Sequence, residues 1–66
     1  MPHVAISMIP GRSREVKKEL SIKVQDFICR ELNLDKDVVS VSVEDIPMEK
    51  WEEHMKQFPS ETILTR

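Results

Sequence analysis

The chain has 66 residues, a net charge of −2 and a single cysteine, Cys29. A chain of this length forms one domain, and it buries only about 60% of the surface that its unfolded form exposes. Such a domain is marginally stable unless a disulfide, a metal ion or oligomerisation adds to it. One cysteine excludes an internal disulfide, and Cys29 with the distant His3 and His54 matches no zinc spacing. We therefore expect residues 1–66 to form a single domain that self-associates and holds no metal.

Charged residues of both signs are mixed along the chain. A nucleic-acid-binding domain has a clustered basic face instead, so we expect no nucleic acid partner. No apolar run is long enough to span a membrane, and the first residues do not resemble a secretory signal. The composition predicts a cytoplasmic protein that does not bind a membrane.

Pro2 lies between the start methionine and an alternating segment at residues 3–9. Aminopeptidases usually remove a start methionine when the next residue is small, and proline qualifies. Removal would leave the secondary amine of Pro2 at the edge of a strand, and that amine is a nitrogen base that no internal residue provides. The alternative is that Pro2 only begins an edge strand, where its missing N–H has no cost.

The first strand is predicted at residues 3–9, because side chains there alternate between two faces. Pro10 and Gly11 then end the strand. Gly11 is the only glycine of the chain, so its position needs a positive φ angle or a close approach of the backbone. The side chains predicted on one face are Val4, Ile6 and Met8, and those on the other are His3, Ala5, Ser7 and Ile9.

A helix is predicted from Ser13, as the N-cap, to about Leu32. Glu15 in the first turn interacts favourably with the helix dipole. Ile22 lies outside the apolar stripe and contacts either a partner subunit or solvent. The stripe, with spacings of three and four residues, consists of Val16, Leu20, Val24, Phe27, Ile28 and Leu32.

The second strand is predicted at residues 38–44, with Val39, Val41 and Val43 facing the helix. A strand, a helix and a strand with short connections form a βαβ unit, so the strands should be parallel and the crossover right-handed. The predicted fold class is therefore α/β (α+β). Because a two-stranded sheet with one helix is a poor domain by itself, we expect another copy of the chain to cover the free sheet face and the strand edges.

The C-terminal part is less regular. Residues 47–56 predict a short helix with proline in its first turn, which Phe58 and Pro59 end. Residues 61–66 fit either a terminal strand or a loose end.

One set of features has a specific order and spacing along the chain. It consists of Pro2 after Met1, the alternating strand, Pro10-Gly11-Arg12-Ser13 before an amphipathic helix, the strand at residues 38–44 and the aromatic Trp51. This order resembles the tautomerase family, typified by 4-oxalocrotonate tautomerase, over roughly residues 2–51. The most specific part is the Gly11-Arg12-Ser13 triplet at its distance from a second-position proline.

The resemblance implies an isomerase that interconverts the enol and keto forms of a 2-oxo acid without a metal or organic cofactor. Pro2, freed of Met1, resembles the general base, and Arg12 resembles the arginine that binds the substrate carboxylate. Trp51 lies where the family has an aromatic residue that lines the pocket. Ser40 lies where the best-known members carry a second arginine, contributed across a subunit interface.

Two departures from the family pattern refine this expectation. Ser40 in place of an arginine, together with Trp51, resembles the phenylpyruvate-tautomerising branch more closely than the enzymes that act on dicarboxylates. Residues 52–55 replace a glycine-rich segment that helps to join dimers in hexameric members. The resemblance therefore implies a homodimer at least as much as a homohexamer.

The predicted chemistry is physically consistent. A general base works best with a pKa near the working pH. A proline amine is more basic than an ordinary chain terminus, whose pKa is about 7.7–8.0, so its basicity has to be lowered. The cation of Arg12 and an apolar wall at Trp51 would both disfavour the ammonium form. A guanidinium also binds a carboxylate through two parallel hydrogen bonds.

Each assignment has a structural alternative. Arg12 is otherwise a solvated residue near the helix start, Trp51 an interface residue, and Ser40 a structural residue of the strand. His3 is interpreted as a hydrogen-bonded surface histidine outside the site, and His54 as exposed. For the whole protein two other functions stay open: catalysis by the proline amine as a nucleophile that forms an iminium, and an oligomeric binding or scaffold module with little catalysis.

Overall fold

The computed structural model describes residues 1–66. It contains strand β1 (His3–Met8), helix α1 (Arg14–Leu32), strand β2 (Ser40–Asp45) and the short helix α2 (Trp51–Met55). Single turns of 3₁₀ helix lie at Lys36–Val38, Met48–Lys50 and Ser60–Thr62. Neither helix is long and apolar enough to cross a membrane.

Strands β1 and β2 form a two-stranded parallel sheet, which confirms the predicted βαβ unit. His3 pairs with Ser40 at the amino end of the sheet, and Met8 pairs with Asp45 at the carboxyl end. At the carboxyl end, the Ile46 N–H donates to the Met8 carbonyl at 2.8 Å. The first strand is therefore extended and unbroken over its 6 residues, and its two ends are far apart.

The connection from β1 to α1 follows the predicted local chemistry. Gly11 has φ 140°, and an added Cβ would meet no atom within 4 Å. The glycine is thus needed for its positive φ angle and not for a close approach. Ser13 is the N-cap, and its Oγ accepts the Val16 N–H at 3.2 Å. At the other end of the helix, Asn33 adopts the left-handed conformation with φ 57°, which is a common way to end a helix.

The second strand begins two residues later than predicted. Residues Lys36–Val38 form a 3₁₀ turn, in which the Val38 N–H donates to the Asp35 carbonyl at 3.2 Å. The Gln25 side chain of α1 holds this turn, since its amide donates to the carbonyls of Lys36 at 3.1 Å and Val39 at 2.9 Å. The alternating valines and serines of residues 38–44 predicted a strand but gave no sign of this contact from the helix.

The predicted apolar stripe of α1 is only partly correct. Val16, Phe27 and Leu32 are 52%, 54% and 56% exposed, whereas Cys29, which lies outside the stripe, is buried. A two-stranded sheet is too narrow to cover a wide helical stripe, and α1 turns the side that carries Cys29 towards it. Across the whole chain, 3 of 66 residues are buried, so one copy has little core. The buried residues are Cys29, Val39 and Ile46.

The C-terminal part crosses the sheet face that α1 leaves open. The predicted helix at residues 47–56 is confirmed, with a 3₁₀ first turn before α2. Residues 63–66 do not form a strand. Of the two alternatives for the terminus, the loose end is therefore the observed one, apart from the 3₁₀ turn at Ser60–Thr62.

Candidate functional site

Pro2 and Ser40 are neighbours at the amino end of the sheet. The Ser40 N–H donates to the Pro2 carbonyl at 3.2 Å, because the parallel register places Ser40 opposite the residue after Pro2. Met1 is 97% exposed, so the Met1–Pro2 peptide bond lies at the surface. Two of the residues predicted for the site thus lie together, and the amino end is accessible.

His3 joins this group through both of its ring nitrogens. Its Nδ1 lies 2.6 Å from the Ser40 Oγ, and its Nε2 lies 2.9 Å from the Ser42 Oγ. All three residues are exposed. The prediction of a hydrogen-bonded surface histidine is confirmed, but its partners make His3 and Ser42 part of the surroundings of Pro2. The alternation of side chains in the two strands already placed His3, Ser40 and Ser42 on one face. The register, which pairs His3 with Ser40, could not be read from the sequence.

Arg12 lies at the opposite end of the sheet. It follows the carboxyl end of β1, in the connection before α1, and a strand of 6 residues spans roughly 20 Å at about 3.3 Å per residue. Arg12 is exposed, and it belongs to none of the ion pairs of the chain. Its guanidinium is free to bind an anion, but not beside Pro2 of the same chain.

Trp51 follows the carboxyl end of β2 and is half-buried at the start of α2. It lines a shallow, largely apolar groove on the open face of the sheet. A neighbouring groove shares the apolar side chains of Trp51, Met55, Phe58 and Ile63 with the first and is also lined by the cationic Lys56 and Arg66. The residues that line the first groove are Ala5, Ser7, Trp51, Met55, Phe58 and Ile63.

His54 is not exposed, and the prediction for it is wrong. Its side chain is half-buried, and its Nε2 lies 2.7 Å from the Ser7 Oγ. The ring lies 6.3 Å from that of Trp51 and 5.4 Å, edge-on, from that of Phe58. Since Trp51 and His54 are three residues apart, one turn of α2 brings both to the open face of the sheet.

The site residues are therefore divided between the two ends of the sheet. Pro2, His3, Ser40 and Ser42 form the amino-end cluster, and Arg12 and Trp51 lie towards the carboxyl end. No three His, Cys, Asp or Glu side chains lie close enough together to hold a metal ion. The chemistry that one chain displays consists of a masked proline amine with hydroxyl and imidazole neighbours, and a free guanidinium elsewhere.

Comparison with known proteins identifies the family. A family described as "Tautomerase enzyme" matches residues 2–57. This chain belongs to the tautomerase family. A probable tautomerase from Xylella fastidiosa (strain 9a5c) is 41% identical to it over 51 residues, which cover 77% of this chain and 62% of that relative. The chain thus spans less than two thirds of the length of that relative. The resemblance predicted from Pro2 and Gly11-Arg12-Ser13 is confirmed at the level of the family.

Proposed function

We propose that this protein is a tautomerase that interconverts the enol and keto forms of a 2-oxo acid. The observation that carries the proposal is the family match, which begins at Pro2. The position of Pro2 supports it, since the residue lies at an accessible end of the sheet, behind an exposed Met1. Removal of Met1 provides the free secondary amine that the reaction uses.

The Pro2 amine acts as a general base and then as an acid. Its lone pair takes the proton of the enol hydroxyl, so that an N–H bond forms and the O–H bond breaks. The C–O bond becomes a double bond, the C=C bond becomes single, and the carbon takes the proton from the ammonium. No atom or electron is gained or lost overall. A positioned base of this kind contributes about 10²- to 10⁴-fold to the rate.

Arg12 binds the substrate carboxylate in this proposal, and it does so in the pocket of another copy. Two observations support a shared pocket. Arg12 follows the opposite end of β1 from Pro2, and 3 of 66 residues are buried in one chain. The exposed apolar side chains of Val16, Phe27 and Leu32 provide surface for the association, as a homodimer or a homohexamer.

The proposed substrate has one carboxylate and an apolar or aromatic group. Ser40, a neutral residue, lies next to Pro2 and offers no second cation for a dicarboxylate. The aromatic groove at Trp51 and Phe58, contributed by the same copy as Arg12, suits a ring, because aromatic side chains pack favourably on one another. Phenylenolpyruvate therefore fits the proposal better than 2-hydroxymuconate.

Ultraviolet assays of ketonisation with both compounds test the function. The sample is first checked by intact mass for loss of Met1, and Pro2→Ala is the matched variant. We expect the protein to act on phenylenolpyruvate, with kcat/KM about 10²-fold or more above that of the variant. Equal rates for the two proteins on both compounds would contradict the proposal. Together with retained Met1 in the native protein, that result would favour the alternative, an oligomeric binding or scaffold module.

A further inference from the structure

The amino-end cluster contains a hydrogen-bonded chain of side chains that the reaction outlined above does not yet use. His3 spans from the Ser40 hydroxyl, 2.6 Å from Nδ1, to the Ser42 hydroxyl, 2.9 Å from Nε2. The inference drawn from it concerns the same site and rests on the proposed tautomerase function.

The hydrogen bonds from Ser42 through His3 to Ser40 have a direction when the imidazole of His3 is neutral. A neutral imidazole has one N–H and one lone pair, and a serine hydroxyl both donates and accepts. One serine must therefore accept from His3 while the other donates to it. The accepting serine keeps its own hydroxyl proton free for another partner.

The position of Pro2 decides which serine that is. The Ser40 backbone N–H donates to the Pro2 carbonyl at 3.2 Å, whereas Ser42 pairs with Ala5, two positions further along the strand. Ser40 is therefore the serine that lies nearer to Pro2 along the sheet, and the free proton is of use to a substrate at Pro2 only if Ser40 holds it. In the arrangement that leaves this proton on Ser40, the Ser42 hydroxyl donates to His3 Nε2, and His3 Nδ1–H donates to the Ser40 Oγ.

We propose that Ser40 donates a hydrogen bond to the substrate oxygen that changes between enol and keto, and that His3 is a positioning residue that holds and polarises this hydroxyl. That oxygen carries the negative charge while its proton is on the Pro2 amine. A fixed donor stabilises such charge more than it stabilises the uncharged substrate. Consecutive hydrogen bonds polarise one another, so Ser42 strengthens the donor without contacting the substrate.

A purely structural cross-strand link would behave differently. The three side chains are exposed, and an exposed neutral hydrogen bond contributes little to stability because water replaces it. If the cluster only joined the strands, its loss would lower stability slightly and leave kcat unchanged. If it acts on the oxyanion, its loss lowers kcat while KM changes little.

The test measures kcat and KM of ketonisation with phenylenolpyruvate for four variants of the full-length protein with Met1 removed. Removing one oxyanion donor costs about 10²- to 10³-fold in kcat, so we expect a loss of that order for Ser40→Ala. His3→Leu should lose about tenfold and Ser42→Ala a few-fold, because their effects pass through Ser40. His3→Asn should regain part of the kcat lost in His3→Leu, since its amide offers a donor near the place of Nδ1–H.

Ser21→Ala is the control for loss of a hydroxyl. The Ser21 Oγ donates to the Lys18 carbonyl within α1 at 2.7 Å, away from the cluster, so this variant should keep the wild-type kcat and KM. Circular dichroism and sedimentation check that each variant is folded and assembled. Ser42→Ala removes a single exposed hydroxyl, so it keeps the test valid if His3→Leu fails to fold.

The outcomes separate this inference from the proposed function. Suppose that the wild-type protein is active and Pro2→Ala is not, but His3→Leu and Ser42→Ala keep the wild-type kcat. The proposed relay, in which Ser42 and His3 act through the Ser40 hydroxyl, is then wrong, and Pro2 is still the general base. A rise in KM at constant kcat also overturns the relay, because it indicates binding alone. If the wild-type protein has no activity, both fail together. A fall in kcat that follows the order Ser40, His3, Ser42 supports the relay.

Discussion

The open face of the sheet carries two histidine–serine clusters that differ in their surroundings. At the amino end, His3 bonds to Ser40 and Ser42, and all three are exposed. Towards the carboxyl end, His54 bonds to Ser7 and is half-buried beside aromatic rings. The residue types are the same, and the bond lengths are close. The C-terminal part of the chain covers the second cluster and leaves the first uncovered.

Under the proposed function, this difference separates the packed part of the face from the part that meets the substrate. The carboxyl end of this face is covered by Trp51, Met55 and Phe58 of its own chain, and the buried Ile46 directly follows β2 there. On the same face the amino end, which holds Pro2, has hydrogen bonds but no such cover, although the buried Val39 directly precedes β2. A group that must meet a substrate needs an accessible position on a rigid element. The amino end of the parallel sheet provides that position.

The largest expected effect tests whether Pro2 at the amino end of one copy and Arg12 at the carboxyl end of another form one pocket. Pro2→Ala and Arg12→Ala should each lose most of the activity with phenylenolpyruvate. If they are mixed and allowed to exchange subunits, about a quarter of the wild-type activity should return in a dimer, since half of the dimers are mixed and each has one intact pocket. The kinetics are followed after mixing.

The control for this experiment is a double variant of Pro2→Ala and Arg12→Ala in one chain, mixed with an excess of the single Pro2→Ala variant. That mixture contains no intact base and should stay inactive. If the mixture of single variants recovers no activity, both residues act within one chain. That result would contradict the shared pocket inferred from the positions of Pro2 and Arg12 at opposite ends of β1.

The next effect concerns the packed end. Ile46→Ala removes a buried side chain and should lower the free energy of unfolding by about 2–5 kcal/mol, because the cavity adds to the lost burial. Ile46→Val is the graded control, with about 0.5–1.5 kcal/mol. Urea unfolding at a fixed protein concentration measures both, since stability in an oligomer depends on concentration. Equal stability of Ile46→Ala and the wild type would contradict the assignment of the packed end.

A smaller effect compares the two clusters directly. Ser7→Ala leaves the half-buried His54 without its partner and should cost about 1 kcal/mol. Ser42→Ala removes an exposed hydroxyl at the other end and should cost less than half as much, because water takes its place. The same urea assay gives both values. A larger loss for Ser42→Ala would mean that the amino end is the structural one.

The smallest effect tests the ion pair at the carboxyl end. Lys17 Nζ lies 2.8 Å from Asp45 Oδ2, and the side chains are 22% and 36% exposed. A pair with this much exposure contributes about 0.2–1 kcal/mol, less in high salt. Asp45→Asn should therefore lower stability slightly in low salt and hardly at all in 1 M NaCl. The exposed pair Lys23–Glu19 is the control, for which Glu19→Gln should change stability still less.

Much of the fold could be predicted from local patterns. The alternation of residues 3–9 indicated β1, and Ser13 and the spacing of apolar residues indicated α1. Gly11, the only glycine, marked one of the two positions with positive φ. The spacing of Pro2 and Gly11-Arg12-Ser13 indicated the family, which the match over residues 2–57 confirms. These features depend on neighbours in the chain, so the sequence alone contains them.

The rest depends on contacts between distant residues, which only the tertiary structure decides. Three features each join residues that are far apart in sequence. They are the register that pairs His3 with Ser40, the hydrogen bond from Gln25 just before β2, and the contact that half-buries His54 against Ser7. The rotation of α1 towards Cys29 has the same origin, since the narrow sheet selects which part of an apolar helix it covers. Local periodicity determines which elements form, and packing between them determines which side chains meet.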